Sequence, residues 1–254
     1  MLRRATATWS GFPCGAGHPV ERRLALDAEA ARRSRCNTMV PERGSEPLNR
    51  HPAVPYVLPF AVFILLLAVH AYLPLPEDWE FPARVVILAA VLWIFSRCVT
   101  DLRVTNLPGS LLAGVAVFVI WIGPDALWPA YRQHWLFQNS ITGKTTSSIP
   151  QHLQISTMVL IFRAIRAVVI VPIVEELFWR GWLMRWLVSS DFEQVPLGAY
   201  TAPAFWITAA LFASEHGPYW DVGLVAGVVY NWWMVRTKRL GDCILAHAVT
   251  NACL

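Results

Sequence analysis

The stretch Val174-Glu175-Glu176-Leu177-Phe178-Trp179-Arg180-Gly181-Trp182 places two adjacent carboxylates and an arginine inside a run otherwise suited to lipid. An ionisable side chain in a membrane span costs roughly 2.5–3.5 kcal/mol on insertion scales, so by default it marks a working site with a partner nearby. The rest of the chain supports a membrane setting. Hydrophobic residues make up 56% of the 254, charged residues 15%, and 13 residues are Trp; the mean hydropathy is +0.43. A water-soluble domain could not bury that much apolar surface inside itself. The expected fold class is therefore all-α, a polytopic transmembrane helical bundle.

From Ala53 apolar runs alternate with short polar connections, at roughly 53–73, 83–99, 109–128, 167–188, 200–217, 221–235 and 242–254, which makes about seven spans. Crossing the ~30 Å hydrocarbon core takes about 20 helical residues. The last run falls short of that. From Ile244 to Leu254 a helix is about 16 Å long, so the last span is expected to be short or truncated, with a C-terminal piece missing. Segment 151–166, with Arg163 and Arg166 three apart, either lies along the interface or extends the next span. Gly223 and Gly227, four apart in one span, are suited to close helix approach.

Positive charge flanks alternate connections: the N-terminal tail, Arg97 and Arg103, Arg180 and Arg185, then Arg236, Lys238 and Arg239. The remaining connections, such as Glu77-Asp78-Trp79-Glu80, are acidic or nearly neutral. That alternation predicts a cytoplasmic N-terminus, and it explains the formal net charge of +4 without any nucleic-acid partner. Residues 1–50, with nine Arg, five acidic residues and clusters of Gly, Pro and Ser, read as a disordered tail ahead of a transmembrane domain over 51–254. The tail has no apolar core for a secretory signal. Met39 is an alternative start, which would make residues 1–38 dispensable. The five cysteines are scattered without a C-x-x-C pair and imply neither a disulfide framework nor a zinc ribbon.

The carboxylates call for partners. On a helix Arg180 lies four residues after Glu176, about 40° away, but five after Glu175, about 140° away. Arg180 therefore pairs with Glu176 and leaves Glu175 without a counter-ion. Two other apolar segments bring polar groups that could meet it: Leu211-Phe212-Ala213-Ser214-Glu215-His216 offers His216, and His247-Ala248-Val249-Thr250-Asn251 offers an i, i+4 pair on one helix face. Each alone also reads as a structural ion pair, a satisfied packing histidine or interhelical glue. Together, three apolar helices each carry a group that needs company in a low-dielectric interior.

The order E-E-x-x-x-R (Glu175, Glu176, Arg180), F-x-x-x-H (Phe212, His216) and H-x-x-x-N (His247, Asn251), each on its own membrane helix, resembles the signature of the CPBP intramembrane proteases. That family includes the CAAX prenyl endopeptidases and bacteriocin-processing or self-immunity relatives. The resemblance covers about residues 155–254. It implies an intramembrane endopeptidase in which Glu175, as general base, and His216 hold and deprotonate a water, while His247 and Asn251 donate to the oxyanion. Glu176, Arg180 and Phe212 would support those residues from behind. The Arg-free glutamate of the helical-phase argument is the one assigned to water. Zinc is the alternative, with Glu175, His216 and His247 as ligands and water in the fourth position. The H-E-x-x-H spacing of soluble zinc proteases is absent, and a metal-free water explains Asn251 better, so metal-independent chemistry is preferred.

The stretch Val171–Leu183 resembles a bacterial branch of CAAX prenyl protease-related proteins found beside exosortase systems. That implies a bacterial inner-membrane location, a membrane-associated peptide or protein substrate without a prenyl group, and an exosortase-type sorting partner. Two other function classes stay open at this stage: a non-catalytic immunity or scaffold protein, and a transporter whose buried Glu and His relay protons.

Overall fold

The computed structural model describes residues 51–68, 72, 77–140, 142–143 and 156–254. The tail of residues 1–50, and with it the reading of that segment as disordered, lies outside them. Among the described residues the structure is a helical bundle without strands. Its helices are α1 (Val54–Ala68), α2 (Glu77–Val91, continued by a π turn over Leu92–Ser96), α3 (Leu107–Leu127), α4 (Thr157–Trp186), α5 (Ala202–Ser214), α6 (Trp220–Thr237) and α7 (Leu240–Cys253). Trp79–Ser96, Leu107–Leu127 and Thr157–Trp186 are long and apolar enough to cross a membrane, and α1 and α5 are shorter apolar helices. The integral membrane character read from composition thus has its physical basis in three long spans.

Helix ends follow local chemistry. The Asn106 side chain accepts the Gly109 N–H at 3.0 Å, with Pro108 in the first turn of α3, where a missing N–H is harmless. Thr201 accepts the Ala204 N–H and precedes Pro203 at the start of α5. Thr157 to Arg166 extends α4, which resolves the two readings of that region; residues 151–155 lie outside those described. The apolar run at 200–217 is shorter as a helix than as a sequence, because α5 stops at Ser214. Cys98 is disulfide-bonded, a single bridge that the scattered cysteines did not signal.

Polarity is inverted relative to a soluble protein. Leu65, Val86, Leu112 and Ile161 face outward, whereas Glu176, Arg180, Asn231 and Asp242 are fully enclosed. Exposed aromatic residues gather at both ends: Trp93, Trp186, Tyr200 and Trp232 towards the arginine-rich end, Trp79, Trp128 and Trp135 towards the other. Indole and phenol rings favour the headgroup level, so these two belts match a bilayer's two interfaces.

The shortest C-terminal element is the most enclosed. Helix α7 packs against α3, α4 and α6, with Leu240 to Ile244, Ala246, His247 and Thr250 buried. Gly114 allows the closest approach: a Cβ there would stand 2.4 Å from Ala246 O. Asp242, in the first turn of α7, accepts the backbone N–H of Thr105 (3.0 Å) and Asn106 (2.9 Å) and the hydroxyls of Thr105 (2.6 Å) and Ser110 (3.3 Å). One buried carboxylate thereby caps α3 and locks α7 to it. Along α5 and α6, Gly227 permits close approach, since a Cβ there would stand 3.1–3.2 Å from Ala209 and Phe212.

Helix α4 is not a regular α-helix. It widens into π turns over Ile165–Ile170 and Leu177–Leu183, on either side of Glu175 and Glu176. Such insertions re-aim the groups around them and recur at functional sites.

Replacing Asp242 by Ala strands four donors and should lower stability by on the order of 3 kcal/mol. Thermal unfolding in detergent is the measurement, with the loss of α7 packing appearing as a lower midpoint.

Candidate active site

Arg180 is wholly buried beneath α5 and α6, and each face of its guanidinium plane is engaged. Nη1 donates to Glu176 Oε1 at 3.0 Å, Nε to Asn231 Oδ1 at 2.9 Å and Nη2 to Gly227 O at 3.3 Å. The rings of Phe212 and Tyr230 lie 4.6 and 5.5 Å from its central carbon. Asn231 in turn donates to Phe205 O at 2.8 Å. The pairing of Arg180 with Glu176 expected from helix phase is present, even though the helix between them is π rather than α.

Glu176 has a second partner that spacing did not reveal. His247 Nδ1 lies 2.9 Å from the same Glu176 Oε1. A carboxylate oxygen accepts, so Nδ1 donates, and the ring is fixed with Nε2 turned the other way. Tyr230 stacks on that ring at 5.0 Å with a 23° interplanar angle, and its hydroxyl donates to Thr250 Oγ1 at 2.7 Å. The chain Arg180–Glu176–His247 thus sets one imidazole from two helices away.

Glu175 lies on the opposite side, as the phase argument requires. It is 6% exposed, and its Oε2 is buried without a hydrogen-bond partner among the described residues. His247 Nε2 approaches that oxygen to 3.9 Å. The unpaired oxygen borders a cavity of about 170 Å³ that is also lined by His216, His247, Asn251, Phe212 and Tyr230. A water needs about 10–15 Å³ on this measure, so the space also admits a carbonyl group beside it.

His216 sits just past the end of α5. Its Nδ1 is 2.7 Å from Phe212 O. The carbonyl can only accept, so Nδ1 carries the hydrogen and Nε2 presents a lone pair. By folding back over the last turn of α5, the ring reaches a cavity shared with His247, which starts from the other end of the bundle. The ring has room because Gly223 faces it; a Cβ there would stand 3.1–3.2 Å from His216. Phe212 lies 4.7 Å from His216 and 6.1 Å from His247, and so separates the two imidazoles.

Asn251 lines the cavity, but its amide is also a fastener: Nδ2 donates to Ala167 O at 2.8 Å, in the first π turn of α4. One of its two N–H bonds is therefore spent on helix docking. Among the described residues no group of three or more His, Cys, Asp or Glu side chains is arranged to hold a metal ion.

Residues 157–253 match a family model described as Type II CAAX prenyl endopeptidase Rce1-like. This part of the chain is similar to that family. No curated protein and no solved structure matches the chain. The matched Rce1-like segment begins with α4 and ends with α7, so it contains all seven motif residues. The expected extent of the resemblance, about 155–254, agrees with it.

Several groups around the Rce1-like site were missed. Asn231 carried a weak signal, an amide in an apolar span four residues after Gly227. Tyr230 and Thr250 carried none, since each is ordinary in a membrane helix. Glu215, next to His216, accepts the Trp179 Nε1–H at 2.9 Å.

Replacing Arg180 by Ala leaves Glu176 buried without its cation and should cost about 3–5 kcal/mol. Glu175→Gln keeps the side chain's size and removes only the 3.9 Å approach to His247 Nε2, so it should unfold within about 2–4 °C of wild type by the same thermal measurement.

Proposed function

We propose that this protein is an intramembrane endopeptidase that hydrolyses a peptide bond of a membrane-associated substrate with a water activated by Glu175 and His216. The observation that carries the reading is the convergence of Glu175 from α4, His216 from the turn after α5, and His247 and Asn251 from α7 on one cavity. A water there donates one hydrogen to Glu175 and the other to His216 Nε2, the ring nitrogen left as acceptor by the Nδ1 bond to Phe212 O. Its lone pair then points at the scissile carbonyl. As the oxygen attacks, Glu175 takes the proton, and it returns that proton to the departing amine.

The negative charge that develops on the carbonyl oxygen needs fixed donors. Asn251 has one N–H beyond the bond to Ala167, and His247 has Nε2. Donation from Nε2 requires hydrogen on both ring nitrogens, because Nδ1 already donates to Glu176. The doubly protonated ring then stands between Glu176 at 2.9 Å and Glu175 at 3.9 Å.

Metal-independent chemistry is the preferred reading, because a water held without metal leaves a role for the Asn251 amide as an oxyanion donor. Arginine alternation supports a cytoplasmic N-terminus. The likeness of Val171–Leu183 to exosortase-associated proteins supports a bacterial inner-membrane enzyme acting on an exported, non-prenylated substrate in an exosortase-type sorting system.

The test is cleavage of a quenched peptide by the purified protein in detergent. Glu175→Gln should reduce turnover about 100-fold or more while the protein remains folded; full activity in that variant would overturn the reading. Exhaustive chelation should leave turnover intact, and loss that zinc restores would transfer the water to a metal.

A further inference from the structure

Residues 128–143 precede the family-matched segment and fold back over the turn that carries His216. The buried Arg132 guanidinium joins the two. Its Nη1 donates to Pro218 O at 2.8 Å and to Asp221 Oδ1, and its Nε donates to Asp125 at 3.3 Å. It also covers the Tyr219 ring at 4.6 Å. Further along the same connection, Leu136 O accepts the Trp220 Nε1–H at 3.1 Å. Gly217 has φ +54°, and a Cβ there would stand 2.8 Å from Thr142 O, so turn and connection touch at the level of backbone.

This clamp acts on a histidine just beyond the last turn of α5. Because α5 ends at Ser214, the ladder of helical hydrogen bonds stops before His216, and the ring's direction depends on the turn Gly217–Tyr219. Arg132 grips that turn through Pro218 and, through Asp221, grips the first turn of α6. A planar guanidinium with several donors can fix such a set together, whereas a single ammonium cannot. Trp121 completes the support, edge-on to His216 at 5.3 Å and stacked on Tyr219 at 6.1 Å.

We infer that Arg132 is a positioning residue: by clamping the turn between α5 and α6 it keeps His216 Nδ1 on Phe212 O and Nε2 facing the cavity as the hydrogen-free nitrogen. The inference rests on the reading of His216 as a water-holding group.

The test uses the full chain in detergent with ¹⁵N-labelled histidine, where two- and three-bond ¹H–¹⁵N correlations report which ring nitrogen carries hydrogen. His216→Gln assigns the His216 signal by its loss. In wild type His216 should carry hydrogen at Nδ1. In Arg132→Ala its signal should become an average of both tautomers while that of His247, held by Glu176, stays put. Arg132→Lys should fall between. Turnover in Arg132→Ala should drop about 10- to 100-fold with KM nearly unchanged, as expected for a misplaced catalytic group. An unchanged His216 signal in a folded Arg132→Ala overturns the inference, as does equal disturbance of His247. If Arg132→Ala does not fold, Arg132→Lys decides, and a wild-type His216 signal there overturns it. Absence of peptide cleavage by wild type would instead remove the protease reading, and the NMR outcome is independent of it.

Discussion

One buried cation organises the catalytic half of this molecule. Arg180 is taken out of water within a bundle that is itself surrounded by lipid, and removing a charge from water costs several kcal/mol unless its hydrogen-bonding capacity is met. Five groups meet it: Glu176, Asn231, Gly227 O and the rings of Phe212 and Tyr230. They belong to α4, α5 and α6, so neutralising one side chain fixes the mutual placement of three helices. The same demand then propagates to α7, because the Glu176 oxygen that meets Arg180 also accepts from His247.

That arrangement separates two chemically identical neighbours. Glu176 is saturated on one oxygen and enclosed, so it behaves as framework. Among the described residues each carboxylate keeps one buried oxygen without a partner, but only Glu175, one residue earlier, lines the cavity. The difference comes from helix phase, which sends consecutive side chains about 100° apart, and from the absence of a second arginine. A buried polar atom without a partner is expensive. Folded proteins retain such atoms where something else is meant to occupy the space.

The supports of the four cavity residues are unequal. His247 is held on three sides by Glu176, Tyr230 and Phe212, and Asn251 is pinned to a π turn of α4. His216 lies beyond the end of its helix and leans on a turn gripped by Arg132, from an aromatic connection distant in sequence. The long connection after α3, awkward for a simple alternation of spans, thereby acquires a physical role beside the site.

Much of this was legible in the residues alone. Seven apolar runs became seven helices, and the pairing of Arg180 with Glu176 followed from a four-residue spacing. The remaining polar groups were identifiable because the cost of an ionisable or amide side chain in an apolar run is paid locally, at that residue. What the chain could not reveal was the second bond of Glu176, the docking of Asn251 on Ala167, the roles of Asn231 and Tyr230, and the stop of α5 before His216. Each depends on which helices become neighbours and on the π turns of α4, which shift phase without a clear sequence mark. Composition and spacing determined that there is a membrane bundle with a charged centre; only tertiary packing decided which atoms in that centre are satisfied and which face the cavity, because hydrogen-bond satisfaction is a property of three-dimensional neighbours.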